Sequence, residues 1–192
     1  MHEVEEKKNN FLACLDTNYM DMSKDVERRS FVVECYIVQF NDEKTLKYAI
    51  WYTDDEDGFV SEHGKILFFA CVESLKEYCD SKNIIISDGN EISCVYDFGY
   101  LKKWLLSPND GFNCSIMLNF WNVISDASKS MDVAFIGDDK ENETANQLYS
   151  KLFYGCNLPA INTSGKKYIP KWTQQEIDCL AEILSAYEVL WS

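Results

Sequence analysis

The acidic run at residues 53–63, TDDEDGFVSEH, has the residue types of a calcium-binding loop. An EF-hand loop places oxygen ligands at its first, third and fifth positions, a glycine at its sixth and a bidentate glutamate at its twelfth. With Gly58 at the sixth position, Asp55 and Asp57 take the third and fifth, but Gly64 takes the twelfth. Because the bidentate carboxylate is missing and the flanking sequences resemble strands, we predict no calcium site. The simplest interpretation is a polar connection between strands, turned at Asp57-Gly58.

A second acidic run follows at residues 138–143, and the two runs together are candidate sites for a cationic partner. Most acidic runs are solvated surface, and that interpretation applies to both. Clustered charges of one sign also attract oppositely charged proteins and accelerate their association. On this second interpretation, the partner-binding residues are Asp54, Asp55, Glu56, Asp57, Glu62, Asp138, Asp139, Glu141 and Glu143.

Residues that could act as catalytic groups lack their usual sequence context. The chain contains no GxxxxGKS/T, GxGxxG, HExxH or GxSxG motif, so the usual phosphate cradle, metal ligands and nucleophile elbow are missing. Ser164 and Lys167 match SxxK, but they lie in a loop-like stretch without the companion motifs. His63 is a lone histidine beside acids, which is more often a solvated residue than a general base. We predict no catalytic residue and no cofactor.

Eight cysteines, at positions 14, 35, 71, 79, 94, 114, 156 and 179, raise the question of disulfides or a zinc site. None of them forms a C-x-x-C pair, and His2 and His63 are the only histidines. Structural zinc needs closely spaced thiolates or imidazoles, which this spacing does not provide. Most of the cysteines lie in apolar stretches, where a thiol behaves as a small hydrophobic side chain. We therefore predict free, buried thiols and no metal site.

The bulk composition indicates one folded, strongly acidic domain. The chain has 192 residues, of which 46% are hydrophobic and 14% aromatic, and its formal net charge is −14. A surface this negative repels nucleic-acid phosphates and anionic lipids, so we predict no direct nucleic-acid partner and no membrane partner. The first residues lack the basic and apolar regions of a signal peptide, and no segment is apolar over the length of a membrane span. We expect a cytoplasmic protein.

Three segments in the first half of the chain have the pattern of β-strands, namely residues 31–40, 46–53 and 65–69. They are rich in β-branched and aromatic residues, and residues 46–53 alternate between two faces. The five residues between the first two strands are too few for a parallel crossover, so those strands should pair antiparallel. The prediction is an antiparallel meander. Residues 1–30 are polar and predict either a helix or a loosely held arm.

The helical period of apolar residues then begins, at residues 71–82. A hairpin turned at Asp88-Gly89 follows, although the III segment alone could instead be a linker packed into the core. Further helices are predicted from Phe98, over residues 115–131, and around residues 145–153 with Gly155 as C-cap; DVAFIG between them could be a short strand. A capping box at Thr173 begins the last helix. The expected fold is α+β, with an N-terminal antiparallel β-meander packed against several C-terminal amphipathic helices in one domain spanning residues 1–192.

The segments YDFGYLKKWLL and SIMLNFWNVISDAS carry a resemblance to a known group of proteins. Their pattern Tyr-Asp…Trp-Leu…Leu-Asn-Phe-Trp-Asn…Asp is similar to that of small bacterial immunity proteins, especially those of contact-dependent growth-inhibition systems. The resemblance implies a cytosolic protein that binds and neutralises one cognate toxin domain, often a basic nuclease. The alternatives are an acidic nucleic-acid mimic or regulatory adaptor that binds a nucleic-acid-handling protein, and an enzyme without a recognisable motif.

Overall fold

A computed structural model describes residues 33–42, 45–89, 91–109, 111–163 and 165–191, with side chains to residue 188. The helix or arm predicted for residues 1–30 lies outside the described residues. The remainder is an α+β fold, in which an antiparallel-rich sheet is followed along the chain by most of the helices. The predicted fold class is therefore confirmed.

The first two strands form the long antiparallel pair that the short connection predicts. Strand β1 is Glu34–Asp42 and strand β2 is Thr45–Thr53. They are paired over their whole length, from Glu34 opposite Thr53 to Asp42 opposite Thr45. Side chains on β2 alternate as predicted, but both faces of the sheet are covered, because Ile50 contacts one core cluster and Ala49 the other.

The third strand is shorter and lies earlier in the chain than predicted. Strand β3, Gly58–Phe59, pairs with the end of β2, whereas residues 65–69 were expected in this place. Strands β4 (Ser61–Glu62) and β5 (Lys65–Ile66) form a separate small hairpin, and Phe69 then returns to bridge Tyr48 on β2.

The turn of the small hairpin is at His63-Gly64, where both residues have positive φ, 53° and 72°. Residues 54–57 are the predicted polar connection, between the antiparallel strands β2 and β3, but Gly58 lies in β3 and not in the turn. Gly58 serves a different purpose, because a Cβ there would lie 2.6 Å from the Tyr52 hydroxyl and 2.9 Å from Ser130 Oγ. The glycine permits close packing within a strand rather than a change of chain direction.

The fourth strand of the main sheet runs parallel to its neighbour, which overturns the predicted hairpin at residues 84–96. Helix α1 (Val72–Lys82) leads to β6 (Ile92–Asp97), which pairs parallel with β1 and gives the order β3-β2-β1-β6. Ile86 forms an isolated parallel bridge with Cys35, so this residue also lies beside β1 instead of pairing with β6. The helical crossover makes the parallel arrangement possible, because parallel strands cannot be joined by a tight turn.

Helices cover both faces of the sheet. Helix α1 packs its Leu75 and Cys79 against Ile37 and Ile50 on one face. The other face packs against a larger cluster supplied mainly by α2 (Phe98–Leu106), α3 (Cys114–Ser130), α4 (Glu143–Gly155) and α5 (Gln174–Trp191). Helix α3 lies at the centre of this layer, since it contacts α4, α5, β3 and β5.

The ends of the helices follow familiar capping chemistry. The side chains of Asp97, Asn113 and Asn142 accept hydrogen bonds from the first turns of α2, α3 and α4. Before α5, Thr173 Oγ1 accepts from the Glu176 amide at 3.3 Å while the Glu176 carboxylate accepts from the Thr173 amide at 2.8 Å. This reciprocal pair is the predicted capping box.

Two glycines between α3 and α5 serve close packing, and both correct the sequence prediction. DVAFIG contains no strand; Ile136–Asp138 is a 3-10 turn, in which a Cβ on Gly137 would lie 2.5 Å from Trp121 Nε1. Gly155 is the last residue of α4 and not its cap, and a Cβ there would overlap the Cys114 sulfur. Asn157, two residues after the end of α4, has the left-handed backbone conformation, with φ 53°.

All seven cysteines in the described part of the chain are free thiols. Cys35, Cys79, Cys114 and Cys179 are buried, and burial raises the pKa of each of these thiols. Cys71, at the start of α1, is exposed and departs from the predicted burial. Cys14 lies outside the described residues.

A candidate acidic docking surface

The first acidic run lies near the C-terminal end of α3, because the strand that follows the run, β3, is hydrogen-bonded to that end of the helix. The amide of Phe59 donates to Ser130 Oγ at 2.8 Å, and that hydroxyl donates to the Asp126 carbonyl at 2.7 Å. Ser61 Oγ also donates to the Ser130 carbonyl, at 3.3 Å. These bonds tie the strand that follows residues 54–57 to the last turns of α3. The four acids themselves are exposed.

The second acidic run is anchored to the same helix. Ser125 Oγ lies 2.8 and 2.9 Å from the two carboxylate oxygens of Asp138 and donates to that group. Ser125 is 8% exposed, so its hydroxyl has few alternatives to this partner. Asp139 Oδ1 accepts from the Glu141 amide at 2.9 Å, which closes the following turn. Helix α3 therefore brings parts of both predicted runs together.

The residue between the two runs is Asp126 of α3, whose side chain is only 16% exposed. Its Oδ2 accepts from Trp51 Nε1 at 3.1 Å, and its Oδ1 lies 4.0 Å from Lys129 Nζ. Burial raises the pKa of the Asp126 carboxyl to about 6, against the lowering effects of the Trp51 hydrogen bond and Lys129; the charges of Asp57 and Asp138 raise it further. Asp126 is thus within electrostatic range of both acidic runs.

One half-buried aromatic residue, Trp51, donates to this carboxylate, and a second, Tyr36, packs against Trp51. Tyr36 on β1 is directly opposite Trp51 on β2, and their ring centroids are 5.7 Å apart. The Tyr36 hydroxyl donates to Glu34 at 2.6 Å, which orients the ring. We call the set of Tyr36, Trp51, Asp54, Asp55, Glu56, Asp57, Asp126, Asp138 and Asp139 the acidic surface.

Three of the predicted partner-binding residues have other surroundings. Glu62 on β4 accepts from the Tyr78 hydroxyl at 3.1 Å and lies 3.9 Å from Lys82 Nζ, so it is tied to α1 on the opposite face of the sheet. Glu141 is exposed in the turn before α4, and Glu143 lies in the first turn of that helix. A carboxylate at this position stabilises the positive end of the helix dipole.

Sequence patterns placed Asp126 on the polar side of α3 and Trp51 on one face of β2, but neither was identified as a site residue. The missing information is tertiary, because Trp51 and Asp126 are 75 residues apart in the chain. The signal available in the sequence is that Asp126 is the only acidic residue in the 17 residues of α3.

The acidic surface offers anionic oxygens beside aromatic rings, which suits Lys and Arg side chains of a protein partner. The described residues contain no group of three or more His, Cys, Asp or Glu side chains arranged to hold a metal ion. Within the same residues, no helix is both long and apolar enough to cross a membrane. Comparison of the chain with protein-family models, with curated proteins and with solved structures gives no match.

Proposed function

We propose that this protein is a cytoplasmic immunity protein that neutralises a cognate basic toxin domain by stoichiometric binding at the acidic surface. The observation that carries the proposal is Asp126, a largely buried carboxylate placed within range of two further acids. A raised carboxyl pKa means that the ionised form destabilises the fold. Ionisable groups with strongly shifted pKa values are concentrated at functional sites.

A cationic partner would offset part of the cost of ionising Asp126, a cost that comes mainly from burial. A Lys or Arg side chain placed beside Asp126 would favour the ionised form of that carboxylate. Binding of the cation would therefore offset part of the free-energy cost that the isolated protein bears when Asp126 is ionised. The exposed acids at residues 54–56 would act earlier, by attracting the partner before contact.

The aromatic pair gives this surface a second property of protein interfaces. Tyr and Trp are, with Arg, the residues most enriched among those that dominate binding energy. Trp51 is held by its hydrogen bond to Asp126 and by its contact with Tyr36, so it is ordered in the free protein. An ordered anchor loses little conformational entropy when the partner binds.

The resemblance of the α2–α3 segment to immunity proteins favours a toxin over other basic partners. The net charge of −14 supports the same choice, since basic nucleases are common among such toxins. A nucleic-acid-handling protein of the cell would present similar chemistry. The experiment below distinguishes the two, because only a toxin makes growth depend on this chain.

The test is growth of cells that express a candidate toxin domain, taken from the gene next to this one if that gene encodes such a domain. We expect wild-type protein to restore growth and to co-purify with the toxin in equal amounts. Substitution of Lys at Asp54, Asp55, Glu56 and Asp57 should abolish or weaken both results. A control with the same change of net charge replaces four exposed acids in or after α1, namely Glu73, Glu77, Asp80 and Asp88.

The control variant should protect the cells as wild type does. If wild-type protein gives no protection against that toxin, the immunity function is refuted. If both quadruple variants protect equally, the toxin does not bind at the acidic surface.

A further inference from the structure

The connection between α4 and α5 carries charge of the opposite sign to the net charge of the chain. None of the 32 acidic residues lies between residues 144 and 175, whereas four lysines do. Lys151 on α4 is bonded to the Glu176 carboxylate at 2.7 Å. The other three lysines are exposed on the connecting loop, namely Lys166, Lys167 and Lys171. The loop is therefore a local cationic region on a strongly acidic protein.

The lysine-bearing part of this loop is fixed by the side chain of Asn157. Asn157 Oδ1 accepts from the Tyr168 amide at 2.6 Å, and Asn157 Nδ2 donates to the Tyr168 carbonyl at 2.9 Å. Asn162 Nδ2 donates to Asn157 Oδ1 at 3.0 Å and to the Lys166 carbonyl at 2.6 Å. These bonds hold the chain around Tyr168 in one conformation before any partner binds, which lowers the entropy cost of binding.

The two bonds from Asn157 also indicate that the chain is extended at Tyr168. One side chain reaches the N–H and the C=O of a single residue where both groups point the same way, as they do in a paired strand. Ile169 precedes a proline, which favours extended backbone as well. Pro170 is buried and faces the protein. Because side chains of an extended chain alternate, Lys167, Ile169 and Lys171 point away from the side of Pro170.

We call Lys167, Ile169 and Lys171 the cationic row. Ile169 is 56% exposed, so the row presents an apolar side chain between two lysines. An extended segment with one carboxylate two residues before an apolar residue and another two residues after it has the same spacing. Such a segment pairs its carboxylates with the lysines and covers Ile169 with its apolar side chain. The pattern of the row therefore fits an acidic peptide better than a lone anion.

The acidic surface is too distant to prevent an acidic segment from binding at the row. The loop begins at the end of α4, where Gly155 lies against Cys114, the first residue of α3. Asp126 is close to the other end of α3, about 18 Å from Cys114 along the helix axis. Salt at physiological ionic strength screens charges over about 8 Å. A short acidic segment is thus shielded from the acidic surface, whereas a long nucleic acid extends over it.

We propose that the cationic row binds an extended acidic segment of a protein partner, in which Asp or Glu lies on both sides of an apolar residue. The inference does not depend on the proposed function, because neither the toxin nor the acidic surface contributes to this site.

The test uses a fluorescently labelled peptide, Glu-Ser-Leu-Ser-Glu, with the whole protein at physiological salt. The control peptide is Gln-Ser-Leu-Ser-Gln, which keeps the apolar residue and removes both charges. We expect the Glu peptide to bind at least fivefold more tightly than the control. Equal binding of the two peptides, or no binding at millimolar peptide, would overturn the proposal.

Variants locate the peptide on the protein. Lys167→Glu should weaken binding about tenfold, whereas Lys140→Glu, the same change of charge at an exposed lysine before α4, should not. Asn157→Gly tolerates the left-handed backbone but removes the bonds to Tyr168, so it should weaken binding several-fold although every lysine remains. An equal loss of binding in both Glu variants would show that only the net charge matters, and the row would be refuted.

Two further measurements distinguish other occupants of the row. A short oligothymidylate should bind more weakly than the Glu peptide; tighter binding that Lys167→Glu abolishes would replace the acidic segment with a nucleic acid. In analytical ultracentrifugation, we expect no self-association that depends on Lys167. If wild-type protein self-associates and both Lys167→Glu and the quadruple Lys variant of residues 54–57 are monomers, the row binds the acidic surface of a second copy, and the proposal is refuted.

Discussion

Asp126→Asn should make the free protein more stable at neutral pH, although it removes a charge from the acidic surface. The wild-type carboxyl has a pKa of about 6 in the folded protein and 3.8 as its ordinary value. A difference of about two pKa units corresponds to about 3 kcal/mol of free energy. The side chain is only 16% exposed, so solvent screening reduces this value little. The asparagine oxygen can still accept from Trp51 Nε1, and the expected gain is therefore as much as about 3 kcal/mol.

The sign of the pH dependence follows from the raised pKa of Asp126. The folded protein binds the Asp126 proton more tightly than the unfolded chain, because the folded pKa is the higher one. The contribution to stability is thus complete below about pH 4 and is lost as the pH rises through about 6. Wild type and Asp126→Asn should therefore have similar free energies of unfolding near pH 4. The variant should be the more stable protein above pH 7.

Urea denaturation of both proteins at intervals from pH 4 to 8 measures this difference. Asp139→Asn is the matched control, since Asp139 is an exposed acid in the neighbouring turn and asparagine keeps an acceptor for the Glu141 amide. The control should follow wild type at every pH. If Asp126→Asn is no more stable than wild type at pH 7.5, or if its gain in stability is the same at pH 4 and pH 7.5, the assignment of an unfavourable buried charge is refuted.

Three further outcomes are expected. Toxin binding should weaken about tenfold from pH 7 to pH 5, because Asp126, with a pKa of about 6, must be ionised to meet a cation; affinity measured in a pH series checks this, and Asp126→Asn should remove most of the dependence. Gly155→Ala should destabilise the protein by about 1–3 kcal/mol, since the added methyl overlaps the Cys114 sulfur and overpacking has costs of this order; an unchanged urea midpoint would contradict the packing. In native protein, Cys71 should react with a thiol reagent ahead of Cys114, whose burial raises its pKa to about 11; peptide mapping of the labelled protein would show the reverse order if the burial were wrong.

The helices could be predicted from the sequence because their signals are local. The apolar period of α3 and the reciprocal contacts of Thr173 and Glu176 lie within a few residues along the chain. The antiparallel pairing of β1 and β2 was also predictable, since a short connection leaves no other arrangement. These elements account for the confirmed fold class.

The failures concern residues whose roles depend on distant partners. Asp57-Gly58 has the composition of a turn, but Gly58 is required where the chain packs against Tyr52 and Ser130. Asp88-Gly89 does lie in a turn, yet the following strand joins β1 in parallel, a choice set by the α1 crossover. No local pattern contains that information.

The same limit applies to the candidate site. The sequence identified both acidic runs, because charge is visible without a fold. It did not reveal that Trp51 and Asp126 meet between them, or that Glu62 is held by Tyr78 on the other face of the sheet. Composition thus indicated the chemistry of the surface, and tertiary packing decided which acids belong to it.

Stopped-flow association with the purified toxin domain, across a salt series, tests the central claim most directly. Exposed charges act mainly on the encounter rate, and salt screens them. The Lys variant at residues 54–57 should associate at least tenfold more slowly than wild type at low salt, with a shallower salt dependence and little change in dissociation. The control variant with Lys at Glu73, Glu77, Asp80 and Asp88 changes the net charge equally, and its association rate should remain much closer to that of wild type. Equal association rates and equal salt slopes for the two quadruple variants would contradict the claim that the partner binds at the acidic surface.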